Sequence, residues 1–421
     1  GDNYGFFASG GITNEQGTTI NNTMKQRSGR GSFTFTPNSK LTFDLNFALT
    51  RNTYDLPRTD QDTYGYYVES AFGSPRTVTY GAPARAGGDS AITGGTLLGG
   101  VTLESMSSIL TRSNALRTLP SVQMRYAPIS WFTNRLTLGA DLTQSDGFEL
   151  FPKNSFGWYP TIPIYGNQIS TTRQNDRLYT VDYLGNIRID LGGSKRFSSD
   201  LSFGSQFINR TSDRLSGSGQ GLISNDASIV TNATVSSVGQ GYGESRSIGV
   251  FAQEQVGFRD RLFLQIGLRG DRNSAFGSDV GTFYLPKFGA SYVISEEPFW
   301  KGLSSLVPTL RLRAAYGTTG RSPSSGAIQT YVASKFVNET GVVELGVSPG
   351  DPGNKDLKPE RGKEFEAGFD AGFLDDRLGL ELTYFNKKST DLIVNVPTAP
   401  SSGFGGSIAN IGEVSNTGLE F

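Results

Sequence analysis

Apolar side chains in this chain recur at every second residue, in runs longer than most soluble strands. From Lys40 to Arg51, Leu41, Phe43, Leu45, Phe47 and Leu49 share one parity, and Thr42, Asp44, Asn46 and Thr50 the other. Period two places alternate side chains on opposite faces of a strand, so this pattern predicts strands and excludes helices. Arg177 to Leu191 repeats it, with Tyr179, Val181, Tyr183, Ile187 and Ile189 opposed to Asp182, Asn186, Arg188 and Asp190. So do Leu262 to Arg269, Phe365 to Phe373 and Leu378 to Tyr384. Fainter copies lie at Tyr4 to Ile12, Lys25 to Thr36, Ala115 to Tyr126, Arg135 to Gln144, Phe197 to Arg210, Ser245 to Phe258, Thr282 to Ile294, Thr309 to Gly317 and Val414 to Phe421. The expectation is an all-β chain of about fourteen strands.

The links between these runs alternate in length. Short links are expected at Pro37-Asn38-Ser39, Gly192 to Lys195, Arg259-Asp260-Arg261 and Asp375-Asp376, and medium ones at Ala127 to Asn134 and Ser295 to Pro308. Long polar segments separate them at Asn52 to Asn114, Ser145 to Asp176, Thr211 to Glu244, Thr318 to Gly362 and Ser389 to Glu413. Short turns on one side and long loops on the other are the pattern of an up-and-down transmembrane β-barrel, with periplasmic turns and outer loops. Ten residues at about 3.4 Å each, tilted by about 45°, rise roughly 24 Å, which suits an apolar band about 25 Å tall. The faces bearing Asp44, Asp182, Arg188, Glu366 and Asp370 are then expected to line water. A soluble sandwich, barrel or propeller gives the same alternation, but its strands are usually about 5–6 residues and its long loops few.

Composition narrows function. Gly is 54 of 421 residues and charged residues are 18%, which suits many strands joined by irregular loops. Lys plus Arg is 38 against 39 for Asp plus Glu, so no basic field for nucleic acid exists. His and Cys are both 0, which removes His- and Cys-dependent nucleophiles, zinc sites of those residues and disulfides. No stretch reaches 18 apolar residues, and the opening Gly1-Asp2-Asn3-Tyr4 lacks the form of a signal peptide.

Residues 251–300 carry the most specific signal: a strand, a tight turn at Arg259-Asp260-Arg261, a strand ending Arg269-Gly270-Asp271-Arg272-Asn273-Ser274-Ala275-Phe276-Gly277, and another ending Ile294-Ser295-Glu296-Glu297. This order resembles SusC/RagA-like TonB-dependent outer-membrane transporters. Leu310 to Gly320, Asn354 to Glu360, and Asp391 to Glu420 with Asn410-Ile411-Gly412 and Asn416, Gly418 and Glu420 continue the resemblance. Upstream, Phe6 to Arg30 and Asp55-Leu56-Pro57 to Pro75 are similar to the family's early strands and first long loop. Lys355 stands where that family commonly has Pro, and Pro359 where it commonly has Trp. The resemblance implies the middle of a barrel of about 22 strands, with a TonB box, a plug domain and C-terminal strands lying outside residues 1–421. An open sheet with unpaired edges near Tyr4 and Phe421 is therefore expected.

The same resemblance implies an importer in the outer membrane of a Gram-negative bacterium, in contact with outer-membrane lipid. It implies uptake of oligosaccharides or peptides with a SusD-like surface lipoprotein, energised through the TonB complex, and no catalysis. A passive pore or a soluble carbohydrate-binding β-protein is the alternative. Outer-loop aromatics Trp158, Tyr159, Tyr66 and Phe404 are substrate-binding candidates, since aromatic rings stack on sugars or pack against a lid protein, although loop self-packing is at least as good a use for them. Tyr126, Trp131 and Phe132 flank a short turn and fit an interfacial girdle. Asp351, Asn354, Asp356 and Glu360 carry oxygens for calcium, but without EF-hand spacing, and a solvated loop is the expected reading. Gly217-Ser218-Gly219-Gln220-Gly221 lacks the Lys-Ser/Thr of a phosphate loop and reads as a flexible outer loop. The pairs Glu364/Glu366 and Asp375/Asp376 read as one strand face and a turn. No cofactor or metal is expected.

Overall fold

A computed structural model describes residues 3–19, 21–57, 108–152, 168–191, 196–224, 229–324, 330–350, 352–375 and 377–421. Fourteen strands form one antiparallel sheet. Its members are β1 (Tyr4–Gln16), β2 (Thr23–Asn38), β3 (Leu41–Leu56), β4 (Leu110–Ile129), β5 (Phe132–Phe151), β6 (Gln168–Leu191), β7 (Phe197–Leu222), β8 (Ala233–Phe258), β9 (Leu262–Asn273), β10 (Phe283–Val293), β11 (Thr309–Arg321), β14 (Glu360–Phe373), β15 (Leu378–Thr390) and β18 (Glu413–Glu420). Small hairpins β12 (Tyr331–Val337) with β13 (Val343–Pro349), and β16 (Ile393–Val396) with β17 (Ser407–Asn410), stand outside it in two long connections. Each strand pairs with the next, and β1 and β18 are the ends of the sheet. The expected open sheet is what the chain forms.

Every expected strand is present, and several are longer than their alternation suggested. β7 and β8 are 26 residues each, more than twice the roughly 9–11 needed to cross a bilayer. The described parts of the loops expected over 145–176 and 211–244 are therefore largely strand. There Gly217-Ser218-Gly219-Gln220-Gly221 is no flexible loop but the far end of β7, with Gly217 opposite Val238 and Gly219 opposite Ser236. The cross-strand ladder satisfies backbone groups of residues whose own strand preference is low, and Gly221 takes a φ of +76° within the strand, one residue before its end at Leu222. The link expected over 127–134 is likewise tighter: β4 runs to Ile129 and β5 starts at Phe132.

The short turns follow local chemistry. Arg259 and Asp260 (φ 53° and 55°) and Leu374 and Asp375 (φ 54° each) adopt the paired left-handed conformation that matches the twist of a hairpin. Asn38 Oδ1 accepts the Lys40 N–H at 2.9 Å to close the β2–β3 turn.

The two faces of the sheet differ as the alternation requires. On the apolar face, Leu264, Ile266 and Leu268 are 51%, 55% and 50% exposed, and Leu45, Phe47, Val181, Leu380 and Tyr384 are exposed with them. These rows do not pack against each other across an interior. Each ends in polar residues at the loop-rich end: Leu49 gives way to Arg51, Leu268 and Gly270 to Arg272, Tyr384 and Asn386 to Lys388. At the other end stand aromatics, with Phe197 and Phe258 4.8 Å apart and Trp131 and Phe132 6.3 Å apart between ring centres. Among the described residues one charged side chain lies inside the band: Glu254, between Ala252 and Val256, which accepts a 2.7 Å hydrogen bond from Ser199 Oγ. Buried apolar side chains are few and cluster at the loop-rich end, where the 3-10 turn Val230–Asn232 lies near Leu150, Ile169 and Leu222.

An apolar face built for hydrocarbon predicts an asymmetric response to charge. In the intact parent protein folded into lipid, Ile266→Lys should destabilise by about 2–4 kcal/mol and Gln265→Lys by less than about 1 kcal/mol, read from urea unfolding. Equal costs at the two positions would contradict the assignment of faces.

Candidate functional site

The opposite face of the sheet is a wall of hydrogen-bonding groups held in register. Thr34, Asp44, Gln123, Thr137, Asp182, Gln206, Gly249 and Asp271 stand directly opposite one another on eight successive strands, β2 to β9. Directly opposed residues share a face, so the row is a property of register as well as composition. Asp44 accepts from Thr34 Oγ1 at 2.8 Å, from Gln123 Nε2 at 3.3 Å and from Arg125 Nη2 at 2.6 Å. Arg117 binds Asp141 through two nitrogens at 2.9 and 2.6 Å, the forked geometry that makes Arg–carboxylate pairs strong.

Glycines let two arginines reach across a neighbouring strand. Arg269 on β9 donates to Asp271 at 2.9 Å and also crosses β8 to Gln206 Oε1 on β7 at 3.1 Å. Gln206 in turn donates to Asp182 Oδ1 at 2.8 Å. Gly249 makes that crossing possible, because a Cβ there would lie 2.3 Å from Arg269 Nη2 and 2.3 Å from Asp271 Oδ1. Arg313 on β11 repeats the arrangement: it donates to Asp370 at 3.1 Å, and its Nη2 reaches Thr383 Oγ1 on β15 at 2.6 Å, passing Gly368 of β14. Arg311 also meets Asp370, at 2.5 Å. A shallow depression of about 250 Å³, lined by Gln265, Ser291, Arg313 and Glu366 among others, lies beside this cluster. Asp182, Asp44 and Asp370 thus occupy the wet face expected of them. The bridging role of Gly249 and Gly368 was not visible beforehand, since it depends on which residues face each other across three strands.

At the loop-rich end asparagines tie two connections together, and backbone hydrogen bonds add a third. Asn410 Nδ2 donates to Lys358 O and Asp391 O, both at 2.8 Å, while its Oδ1 accepts the Lys358 N–H at 2.8 Å. Asn354 Nδ2 donates to Ile408 O at 2.9 Å, and Gly277 N–H donates to Leu357 O at 2.9 Å. Leu357 is fully buried beneath this clasp. Two of the side chains with oxygens for calcium use them within the protein: Asn354 Oδ1 accepts the Asp356 N–H at 3.0 Å, and Glu360 Oε1 the Ile393 N–H at 3.0 Å. Asp351 lies outside the described residues. No cluster of three or more potential metal ligands occurs among the described residues. Glu364 pairs with Lys387 at 3.2 Å on the polar face, and Asp375 belongs to a turn.

On the apolar side, beyond the band, Asp55 meets Arg112 at 2.6 Å. The hydrogen bond from Arg112 holds the Asp55 carboxyl below its ordinary value, so the pair stays ionised at neutral pH. Of the aromatic candidates, Trp158, Tyr159 and Tyr66 lie outside the described residues. Phe404 is half-buried just after the 3-10 turn Pro400–Ser402, its carbonyl accepting from Thr398 Oγ1. Tyr126 and Trp131 are exposed at the short-turn end, where a girdle belongs.

Comparison with known proteins agrees with this geometry. A family model described as "TonB dependent receptor-like, beta-barrel" matches residues 1–421. TonB-dependent receptor P26 of Formosa agariphila is 29% identical over 176 residues, 41% of this chain and 17% of that protein. TonB-dependent receptor SusC of Bacteroides thetaiotaomicron is 28% identical over 181 residues, 41% of this chain and 18% of that protein. The structure of the RagAB peptide transporter superposes with a TM-score of 0.80 at 19% identity, over 99% of this chain and 46% of that one. The chain thus spans under half the length of that structure, and its alignments cover under a fifth of the curated relatives.

Two substitutions test the wall and the clasp. In the intact parent, Gly249→Val and Arg269→Gln should be non-additive, with a coupling of about 0.5–3 kcal/mol in a double-mutant unfolding cycle, because each breaks the same bridge. Asn410→Ala should destabilise by about 1–3 kcal/mol, since it removes three hydrogen bonds worth about 0.5–1.5 kcal/mol each, and should raise proteolysis in residues 391–412 first.

Proposed function

Because this chain belongs to the TonB-dependent receptor β-barrel family and is SusC/RagA-like within it, we propose that the intact protein imports oligosaccharides or peptides across the outer membrane. In this reading the polar face lines the water-filled lumen and the apolar face meets lipid. Proteins of this family are transporters of the Gram-negative outer membrane, and this chain contributes fourteen strands of the barrel wall. The supporting observation is the row from Thr34 to Asp271, polar at every position but Gly249, backed by an exposed apolar band. Apart from Gly249, where the Arg269 guanidinium crosses, such a wall offers donors and acceptors strand by strand and suits a hydroxyl- or amide-rich solute. The solved neighbour is named as a peptide transporter, which favours peptides within that class.

A SusD-like lipoprotein seated on the loop-rich end would deliver substrate. Trp158, Tyr159, Tyr66 and Phe404 would serve at that end by stacking on sugar rings or by packing against the lipoprotein. A plug domain preceding this region would block the lumen until TonB, drawing on the inner-membrane proton gradient, displaces it. The residues of this chain bind and guide; none is assigned a catalytic role.

Uptake of labelled oligosaccharides and peptides by cells with and without the intact gene tests the proposal. Uptake should vanish in the deletion strain and fall to near the deletion level when a protonophore collapses the inner-membrane gradient. Uptake that persists with the protonophore would point to a passive pore.

A further inference from the structure

The apolar face carries a feature that transport does not use. Arg27 on β2 and Arg51 on β3 stand directly opposite each other, both exposed, on the face that below them bears Phe47, Leu49, Phe33 and Leu45. Like charges directly opposed across a ladder destabilise it. Among the described residues no carboxylate pairs with either; the nearby Asp55 is taken by Arg112 and by Thr23 Oγ1 at 3.3 Å. Lys25, next outward on β2, adds a third cation. On β14 and β15, Lys363 and Lys388 oppose each other in the same way at the edge of the band, although Lys388 there has Glu413 at 2.9 Å.

Directly below Arg27 the surface is hollowed. Gly29 lies between Gly10 of β1 and Leu49 of β3, and Gly31 between Ala8 and Phe47. Glycine within a strand marks a bulge, a bend or a close approach by another molecule. Internal packing does not demand it here: a Cβ at Gly29 would meet nothing within 4 Å, and those at Gly31 and Gly10 would come no nearer than 3.8 and 3.7 Å. The pairing of β2 with both neighbours is regular through these residues, so no bulge requires them either. The result is a trough walled on its β3 side by Phe47 and Leu49, open over Gly10 and Ala8 on its β1 side, capped by two arginines and ending at Phe33. Six residues at about 3.4 Å each, tilted by about 45°, make it roughly 14 Å deep, close to the roughly 15 Å of one leaflet.

We propose that this trough holds a phosphate-bearing lipid of the outer leaflet, with an acyl chain along Gly29 and Gly31 and its phosphate between Arg27 and Arg51. The proposal rests on the outer-membrane reading above and adds a lipid site to it. A phosphate placed there turns a repulsive cation pair into two charge-assisted contacts, and the bare glycine floor admits a chain that a larger side chain would exclude.

The test uses the full-length parent in detergent, incubated with diphosphorylated lipid A, with lipid A stripped of its phosphates, or with inorganic phosphate. Lipid retention is read by native mass spectrometry and stabilisation by thermal unfolding. Diphosphorylated lipid A should bind and raise the unfolding temperature. Arg27→Gln and Gly29→Leu should each weaken that binding by about tenfold. Without lipid, Arg27→Gln should be at least as stable as the parent, because it removes the repulsion; a purely structural role for Arg27 predicts a loss. Unchanged affinity in both variants, or equal binding of the dephosphorylated lipid, would overturn the site. An equal response to inorganic phosphate alone would make it an anion site and overturn the lipid assignment. A parent that stays folded and soluble without detergent would instead defeat the outer-membrane reading, which is a separate result.

Discussion

A peptide group in hydrocarbon has no water to bond, so each N–H and C=O that crosses a bilayer must find its partner within the protein. That requirement accounts for the regularity of this sheet. Fourteen strands pair in sequence order and in one antiparallel sense, and the two interruptions, β12–β13 and β16–β17, are set aside as separate hairpins in long connections. A continuous ladder also fixes register, and register decides which side chains stand together. The row from Thr34 to Asp271 and the arginine bridges over Gly249 and Gly368 follow from it. The same constraint explains why so little of the chain is buried. A wall with lipid on one side and water on the other needs no dry core, and among the described residues the buried apolar cluster of Leu150, Ile169 and Leu222 lies at the strand ends.

The fold was legible where one face had to be apolar. β3, β6, β9, β14 and β15 announce themselves because Leu, Phe, Ile and Tyr alternate with Asp, Arg and Gln through the membrane band. Beyond the band that requirement lapses, and with it the signal. The outer halves of β7 and β8, rich in Ser and Gly, are strands because each satisfies the other's backbone, which no single-strand pattern reveals. The β12–β13 hairpin carries a local cue in its turn: Asn338 Oδ1 accepts the N–H groups of Thr340 and Val342, closing a tight turn between two alternating runs.

Site features were legible in kind but not in position. Composition and alternation placed Asp44, Asp182 and Asp370 on a wet face, and their hydrogen bonds agree. Which arginine meets which carboxylate depends on register, so Arg269 reaching Gln206 and Arg27 facing Arg51 appear only in the folded sheet. The motif Asn354 to Glu360 was recognisable as a block, but its physical task, a clasp joining two connections through Asn354 and Asn410 and a third through the Gly277 backbone, needed the structure. The aromatic candidates drew on loop position alone, and of them only Phe404 falls within the described residues.

The central claim is that the apolar rows touch acyl chains while their neighbours touch water. Spin labels placed singly at residues 262 to 268 of β9, in the intact protein reconstituted in lipid bilayers, test it most directly through collision with oxygen and with a water-soluble nickel complex. The account predicts strict alternation, with oxygen favoured at 262, 264, 266 and 268 and nickel at 263, 265 and 267. Absence of alternation, or nickel favoured at the even positions, would contradict it.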